Sequence, residues 1–271
     1  MRVLVFGDVM GRAGREALCA QLPELRKTYS ADFVLVNGEN AAHGFGITEA
    51  ICRQFYESGV DVITTGNHVW DQREIIPYIE KDKRLLRPGN FPPGTPGRGA
   101  VVVDVSRGRR VLVLHMMARL FMNPLDDPFA WAERELALHP MKSAVQAVVV
   151  DFHGEATSEK MAMGQFLDGR VSLVFGTHSH IPTADAQILP QGTAYQTDLG
   201  MCGDYDSVIG MDKKTAVDRF VRKMPTERLT PAEGAASLCG AFLETDDASG
   251  RALRFAPVRL GGRLAESRPS P

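Results

Sequence analysis

Two histidines stand one residue apart in Gly176-Thr177-His178-Ser179-His180. Imidazole nitrogens bind transition metals, and two at this spacing can serve two ions, or one can bind while the other packs. Residues of matching chemistry recur along the chain: Asp8 in Gly7-Asp8, Glu39 and Asn40 in Asn37-Gly38-Glu39-Asn40, Asn67 and His68 in Gly66-Asn67-His68, and His153 in Asp151-Phe152-His153. The set mixes oxygen with imidazole and contains no cysteine. It suits manganese, iron, cobalt, nickel or zinc with open coordination positions, rather than a closed structural zinc site. The candidates are too many for one ion and suit two, and a carboxylate such as Glu39 can bridge them. Two ions ~3.5–4 Å apart clamp the attacking and leaving oxygens of a phosphoryl displacement and create a hydroxide nucleophile near neutral pH.

Each group follows a short apolar run. Val3-Leu4-Val5-Phe6 precedes Asp8, Phe33-Val34-Leu35-Val36 precedes Glu39 and Asn40, and residues 60–65 precede Asn67 and His68. Residues 144–150 precede His153, and Val171-Ser172-Leu173-Val174-Phe175 precedes His178 and His180. Runs of this length, rich in β-branched residues and closed by glycine or polar residues, read as buried strands. Helical spacing fills the intervals at 12–29 (with a break expected at Pro23), 48–58 (capped by Thr48), 70–80, 129–138, 157–167 and 213–224. Alternation of this kind predicts a parallel sheet with helices on its faces, and five strand ends of one sheet that carry the candidate ligands. Any one of these residues has a plain explanation as a cap or a turn, but five such coincidences at one edge do not.

The remaining segments read as connections and closing pairs. Residues 87–98 hold Pro88, Gly89, Pro92, Pro93, Gly94, Pro96 and Gly97 and form a loop. Residues 100–105 and 111–114 flank a hairpin with a solvated basic tip, 188–195 form another, and 238–244 with 253–258 form a closing antiparallel pair. Residues 116–127 read as an irregular segment: a surface loop, a lid or an oligomer contact. The domain is expected over 1–260, with a disordered tail at 261–271.

The chain has 271 residues, 31 Lys+Arg against 33 Asp+Glu, and a formal net charge of −2. That balance argues against bulk binding to nucleic acid or to an anionic membrane. Cys19, Cys52, Cys202 and Cys239 are scattered, as reduced thiols of a cytoplasmic protein would be. The N-terminal apolar run is too short for a signal peptide, and no stretch approaches the ~20 apolar residues of a membrane helix.

Gly7-Asp8, Asn37-Gly38-Glu39-Asn40, Gly66-Asn67-His68, His153 and Gly176-Thr177-His178-Ser179-His180 resemble the motifs of the calcineurin-like metallophosphoesterases. The superfamily pattern has a histidine where this chain has Met10 and an aspartate where it has Glu39-Asn40. Those departures, with Gly66-Asn67-His68-Val69-Trp70-Asp71, the stretch from Phe152 to Lys160, and Thr197-Asp198-Leu199-Gly200-Met201, are similar to the bacterial YmdB-like branch. The resemblance runs from Arg2 to about Val258. It implies an α/β fold built as a two-layer β-sandwich flanked by helices, two divalent transition-metal ions (iron or manganese before zinc, cobalt or nickel), and phosphodiesterase activity on cyclic nucleotides such as cAMP. Position by position, it implies one ion on Asp8, Glu39, Asn40 and His180 and a second on Glu39, Asn67, His153 and His178, with His68 as general acid. His43, His115 and His139 match no motif position.

Two other readings stand beside the phosphodiesterase: a regulatory metal- or nucleotide-binding protein with incidental hydrolysis, and a phosphomonoesterase. An open two-metal centre favours an enzyme over a binder. No cluster of arginine or lysine adjoins the motifs to grip a dianionic monoester; the nearest, Arg12 and Arg15, read as a solvated helix face. The expected partner is a small phosphodiester, with a homo-oligomer as a further possibility.

Overall fold

Thirteen strands and six helices are described in the computed structural model, which covers residues 1–224 and 227–270. The strands form two sheets. The first contains β1 (Arg2–Asp8), β2 (Phe33–Asn37), β3 (Val62–Thr64) and β4 (Leu85–Leu86), all parallel to their neighbours. On the other side of β1 it continues antiparallel through β12 (Ala236–Thr245), which also pairs β13 (Ala252–Leu260) and β11 (Gly203–Asp204). The second sheet has the order β5-β6-β7-β8-β10-β9: β5 (Ala100–Val105), β6 (Arg109–Met117), β7 (Ala147–His153), β8 (Leu173–Thr177), β10 (Ala194–Gln196) and β9 (Gln187–Ile188). Its centre, β6 to β8 and on to β10, is parallel.

The alternation of side chains along each strand decides the layering. Val3 and Val5 of β1 share a core with Val113 of β6, Val149 of β7 and Phe175 of β8, so the two sheets pack face to face. Leu4 and Phe6, pointing the other way, pack under α1 (Gly11–Thr28), α2 (Glu49–Glu57) and α3 (Ile75–Ile79). Val148, Val150 and Val174 do the same under α4 (Pro128–Leu138) and α5 (Thr157–Phe166). The last helix, α6 (Lys213–Arg222), lies beside a small cluster of Met10, Met201 and Met211.

The ligand-type residues therefore come from two sheets and not from one. Asp8, Glu39, Asn40, Asn67 and His68 follow β1 to β3, whereas His153, His178 and His180 end or follow β7 and β8. Periodicity could not separate these sheets, because the strands that carry these residues, β1–β3, β7 and β8, are buried on both faces. The strand expected at 144–150 is shifted to Ala147–His153, since Asp151 and His153 stay in the ladder opposite His115 and Met117. For the same reason β6 runs to Met117, so Met116 and Met117 are core; exposure in 116–127 falls instead on Leu120 and Phe121.

Pro23 lies on the exposed face of α1 without ending it, and Thr48 caps α2 by accepting from the Ile51 N–H. The helix expected at 70–80 shrinks to α3, since turns take up the residues after His68. Arg109 is not at a solvated tip: it is buried and paired with Asp32 and Asp247. Beyond β13, Ser267 exchanges both backbone hydrogen bonds with Arg259. The four cysteines are free, and no helix among the described residues is long and apolar enough to cross a membrane.

Candidate metal centre

The carboxyl ends of β1–β3 and of β7–β8 meet at one side of the sandwich. Ligand-type atoms of Glu39, His153 and His178 lie within 4.8 Å of one another there. His153 Nε2 is 2.9 Å from Asn67 Oδ1, 3.0 Å from Glu39 Oε1 and 3.1 Å from His178 Nδ1. Gly66 makes this approach possible: a Cβ there would sit 2.2 Å from Glu39 Oε2 and 2.4 Å from His153 Nε2.

The hydrogen bonds behind these residues assign the protons. Thr177 Oγ1 donates its single proton to Asp151 Oδ1 (2.7 Å), so His153 Nδ1 must donate to Thr177 Oγ1 (2.9 Å). In neutral His153 this leaves Nε2 as a lone pair. His178 Nε2 faces Glu155 Oε2 at 3.2 Å, which leaves Nδ1 as its inward lone pair. His180 Nδ1 donates to the Ile209 carbonyl (2.7 Å), and its Nε2 lies 3.2 Å from Asn40 Oδ1. Asn40 gives its amide N–H to the Gly44 carbonyl, so its oxygen is the inward atom. His153 and His180 thus have the outer nitrogen hydrogen-bonded to an oxygen and the inner one free, as metal-binding histidines do, and His178 turns its outer nitrogen toward the Glu155 carboxylate. Glu39 Oε1 is buried and has no aligned hydrogen-bond donor, despite its nearness to His153. With His153 neutral, electron pairs of Glu39, Asn67, His153 and His178 converge with no proton between them, and a cation fits that arrangement.

Electrostatics agree. Burial would raise the Glu39 pKa, but the charge of His153 and contact with His68 bring it down to about 2. Burial would lower His153, but the Glu39 carboxylate outweighs it and raises the imidazole, so the site favours positive charge here. Burial, with the charge of His153, lowers His178 to about 3 and keeps it neutral and able to ligate near pH 7. Burial, with the charges of Asp198 and Glu39, raises Asp8 to about 6. Asp8 is turned to the loop of the second sheet and accepts from the His178 backbone N–H.

His68 stands at the rim. Its Nδ1 is 2.8 Å from Asp71 Oδ2 and its backbone N–H donates to Glu39 Oε2 (3.1 Å). It lines a cavity of ≈ 280 Å³ together with Glu39, Asn40, His178 and His180. Asp8 and His153 are fully buried, and Asn67 is half-buried. Met10, at the position where the superfamily pattern has a histidine, is buried and packs on Met201 and Met211.

Several supporting residues carried no signal in the sequence, because their role depends on the other sheet. Asn37 donates to the Thr65 carbonyl and to Asp151 Oδ2, and so ties β2 to β7. Thr64 also donates to Asp151. Lys160 is buried on α5, pairs with Asp198 at 2.8 Å and donates to the Thr177 carbonyl; Asp198 in turn accepts from the Ser179 N–H. This clamp holds a loop in which His178 (φ 97) and His180 (φ 66) both adopt left-handed backbone, strain of a kind found at functional sites. His115 lies behind His153, ring to ring at 6.4 Å, with its pKa lowered by burial. Arg15 is half-buried and donates to the Ala41 carbonyl, beside Asn40, so it is not on a solvated face. Asp71 was detectable, three residues after His68 in the same motif.

The family model described as YmdB-like protein matches residues 4–258. A Bacillus subtilis protein named 2',3'-cyclic-nucleotide 2'-phosphodiesterase is 46% identical over 260 residues, 96% of this chain and 97% of that protein. A Thermus thermophilus structure described as a hypothetical protein matches with a TM-score of 0.90 and 42% identity, covering 97% of this chain and 100% of its own. A Mycoplasma pneumoniae structure described as a novel phosphatase matches with a TM-score of 0.89 and 34% identity, covering 96% and 93%. The match spans both sheets and every strand end that feeds the centre, and the chain belongs to the YmdB-like family.

Proposed function

We propose that the chain is a dinuclear metal-dependent phosphodiesterase acting on cyclic nucleotides. Relatives named phosphodiesterase or phosphatase make it a hydrolase. The observation that carries the finer reading is the convergence of unprotonated donors from Glu39, Asn67, His153 and His178 beneath a cavity that His68 lines. Those four would hold one ion. Asp8, Glu39, Asn40 and His180 would hold the other, supported by the 3.2 Å approach of His180 Nε2 to Asn40 Oδ1 and by the buried Asp8 carboxylate. Glu39 would bridge. The donor set suits iron or manganese, then zinc, cobalt or nickel. When bound, such ions supply a water-derived nucleophile near neutral pH and positive charge for the phosphoryl oxygens.

The chain's own residues supply the rest. Asp71 holds His68 by Nδ1, so Nε2 is the ring atom left to deliver a proton. An alkoxide leaving group departs poorly without one, and a positioned acid typically contributes ~10²–10⁴-fold. Cyclic nucleotides are the substrate class because of the Bacillus subtilis relative's name.

The test uses metal-reconstituted protein on 2',3'-cyclic AMP, 3',5'-cyclic AMP, bis-p-nitrophenyl phosphate and p-nitrophenyl phosphate. The reading expects His68→Ala to keep its metal and to lose far more rate on a cyclic nucleotide than on bis-p-nitrophenyl phosphate, whose leaving group needs no acid. It expects Glu39→Ala to lose both ions. Full metal in Glu39→Ala, or turnover confined to p-nitrophenyl phosphate, would overturn it.

A further inference from the structure

We propose that one wall of the cavity, formed by Phe45, Ile209, Met211 and Leu229, seats the nucleobase of the substrate, with Phe45 as its stacking partner; this rests on the phosphodiesterase reading above. The cavity has two unlike sides. Glu39, Asn40, His68, Glu155, His178, Ser179 and His180 make its polar lining; of the four apolar residues, Phe45, Met211 and Leu229 belong to one apolar cluster. A phosphodiester group needs only the polar side. The apolar side implies that the substrate carries a flat, poorly hydrated group next to its phosphate.

The backbone is arranged to present that wall. Ile209 is β-branched and yet has φ 47, an outlier for its residue type. The strain is held by the Ile209 carbonyl accepting from His180, and it leaves the side chain 53% exposed at the mouth of the cavity. Phe45 is fixed at both ends of its peptide: its N–H donates to the Ala42 carbonyl and its carbonyl accepts from Gln72 Nε2. Its ring stands edge-to-face with His68, centroids 5.2 Å apart, so a base laid on Phe45 would lie beside the proposed acid. The Arg228 guanidinium lies over the Phe45 ring, 6.0 Å from its centroid, so a stacked base takes the ring's other face or displaces Arg228. The volume of ≈ 280 Å³ falls just below the ~300–1,000 Å³ of pockets for drug-sized ligands and is of the order of one mononucleotide.

The experiment compares adenosine 2',3'-cyclic phosphate with the 2,3-cyclic phosphate of 1-O-methylribofuranoside, which has the same scissile ring and no base. The readout is the ratio of the two kcat/KM values for manganese-loaded protein. Wild type should prefer the nucleotide. Stacking of one base on an aromatic ring changes affinity by about 5- to 150-fold. Phe45→Ala and Phe45→Leu should cut the ratio by that order, through KM, and Phe45→Tyr should keep it. Phe45→Leu retains most of the bulk against Met211, so it carries the test if Phe45→Ala is poorly folded by thermal melting. A wild-type ratio near one, or a ratio unchanged in Phe45→Leu while both rates fall together, overturns the proposal and leaves Phe45 as a prop for His68. Failure of wild type on both substrates refutes the phosphodiesterase reading itself and takes this proposal with it.

Discussion

Thr177→Val removes one hydroxyl and almost nothing else. That hydroxyl donates to Asp151 Oδ1 at 2.7 Å and accepts from His153 Nδ1 at 2.9 Å, and all three residues are fully buried. Valine matches the volume of threonine and satisfies neither partner. Each buried polar group left alone costs about 1–3 kcal/mol, so metal-free Thr177→Val should be less stable by about 2–6 kcal/mol in urea unfolding. Asp151 keeps Thr64 and Asn37 on its other oxygen, which favours the lower half of that range. The second consequence concerns the ion. Without Thr177 as acceptor, His153 gains nothing from protonating Nδ1, and the proton can move to Nε2, where it competes with the metal. Loss of a partner behind a ligand typically weakens metal binding about 10–100-fold. Thr177→Ser restores the hydroxyl and should recover both properties. The assays are metal titration of the purified variants and long-range proton–nitrogen NMR of His153 in metal-free protein above its pKa. If Thr177→Val binds metal like Thr177→Ser and shows the same His153 tautomer, the proton assignment given above is wrong.

Three further outcomes follow from the same geometry. Gly66→Ala should lose metal while its secondary structure survives, because the new Cβ would overlap both Glu39 Oε2 and His153 Nε2; full metal occupancy in that variant would contradict the placement of those atoms. Lys160→Met should cost about 3–5 kcal/mol, the penalty of stranding the buried Asp198 carboxylate, and should loosen the His178–His180 loop, as hydrogen exchange would read; Lys160→Met and Asp198→Asn combined should cost less than the two singly. Burial makes Asp8 hold its proton more tightly in the folded metal-free protein (pKa about 6) than an ordinary aspartate does (3.8), so its contribution is present at low pH and is lost as pH rises from about 4 through 6. Metal-free Asp8→Asn should therefore gain stability over wild type across that window, by on the order of 3 kcal/mol at pH 8, and a pH-independent difference would show that Asp8 titrates normally.

The sequence carried the ligand types and their local setting. Short apolar runs ending in Asp8, Glu39-Asn40, Asn67-His68, His153 and His178-Ser179-His180 could be read as strand ends, since a strand buried on both faces leaves a run of apolar residues that a polar group must close. The caps and hairpins were equally local: Thr48, the pair β9–β10 and the pair β12–β13 depend on neighbours a few residues away. What local pattern could not carry was the partition into two sheets. Leu4 and Val5 are alike as residues, yet one faces the helices and the other faces the second sheet. Only the packing of β1–β3 against β6–β8 brings Asn37 to Asp151, a separation of 114 residues, and Asp8 to the His178 amide, a separation of 170. The proton assignments of His153, His178 and His180 belong to that level as well. They depend on Thr177, Glu155 and the Ile209 carbonyl, whose distance and direction the chain acquires only on folding. Residue type fixed which atoms can bind a metal, and the tertiary structure decided which of their lone pairs are left free to do so.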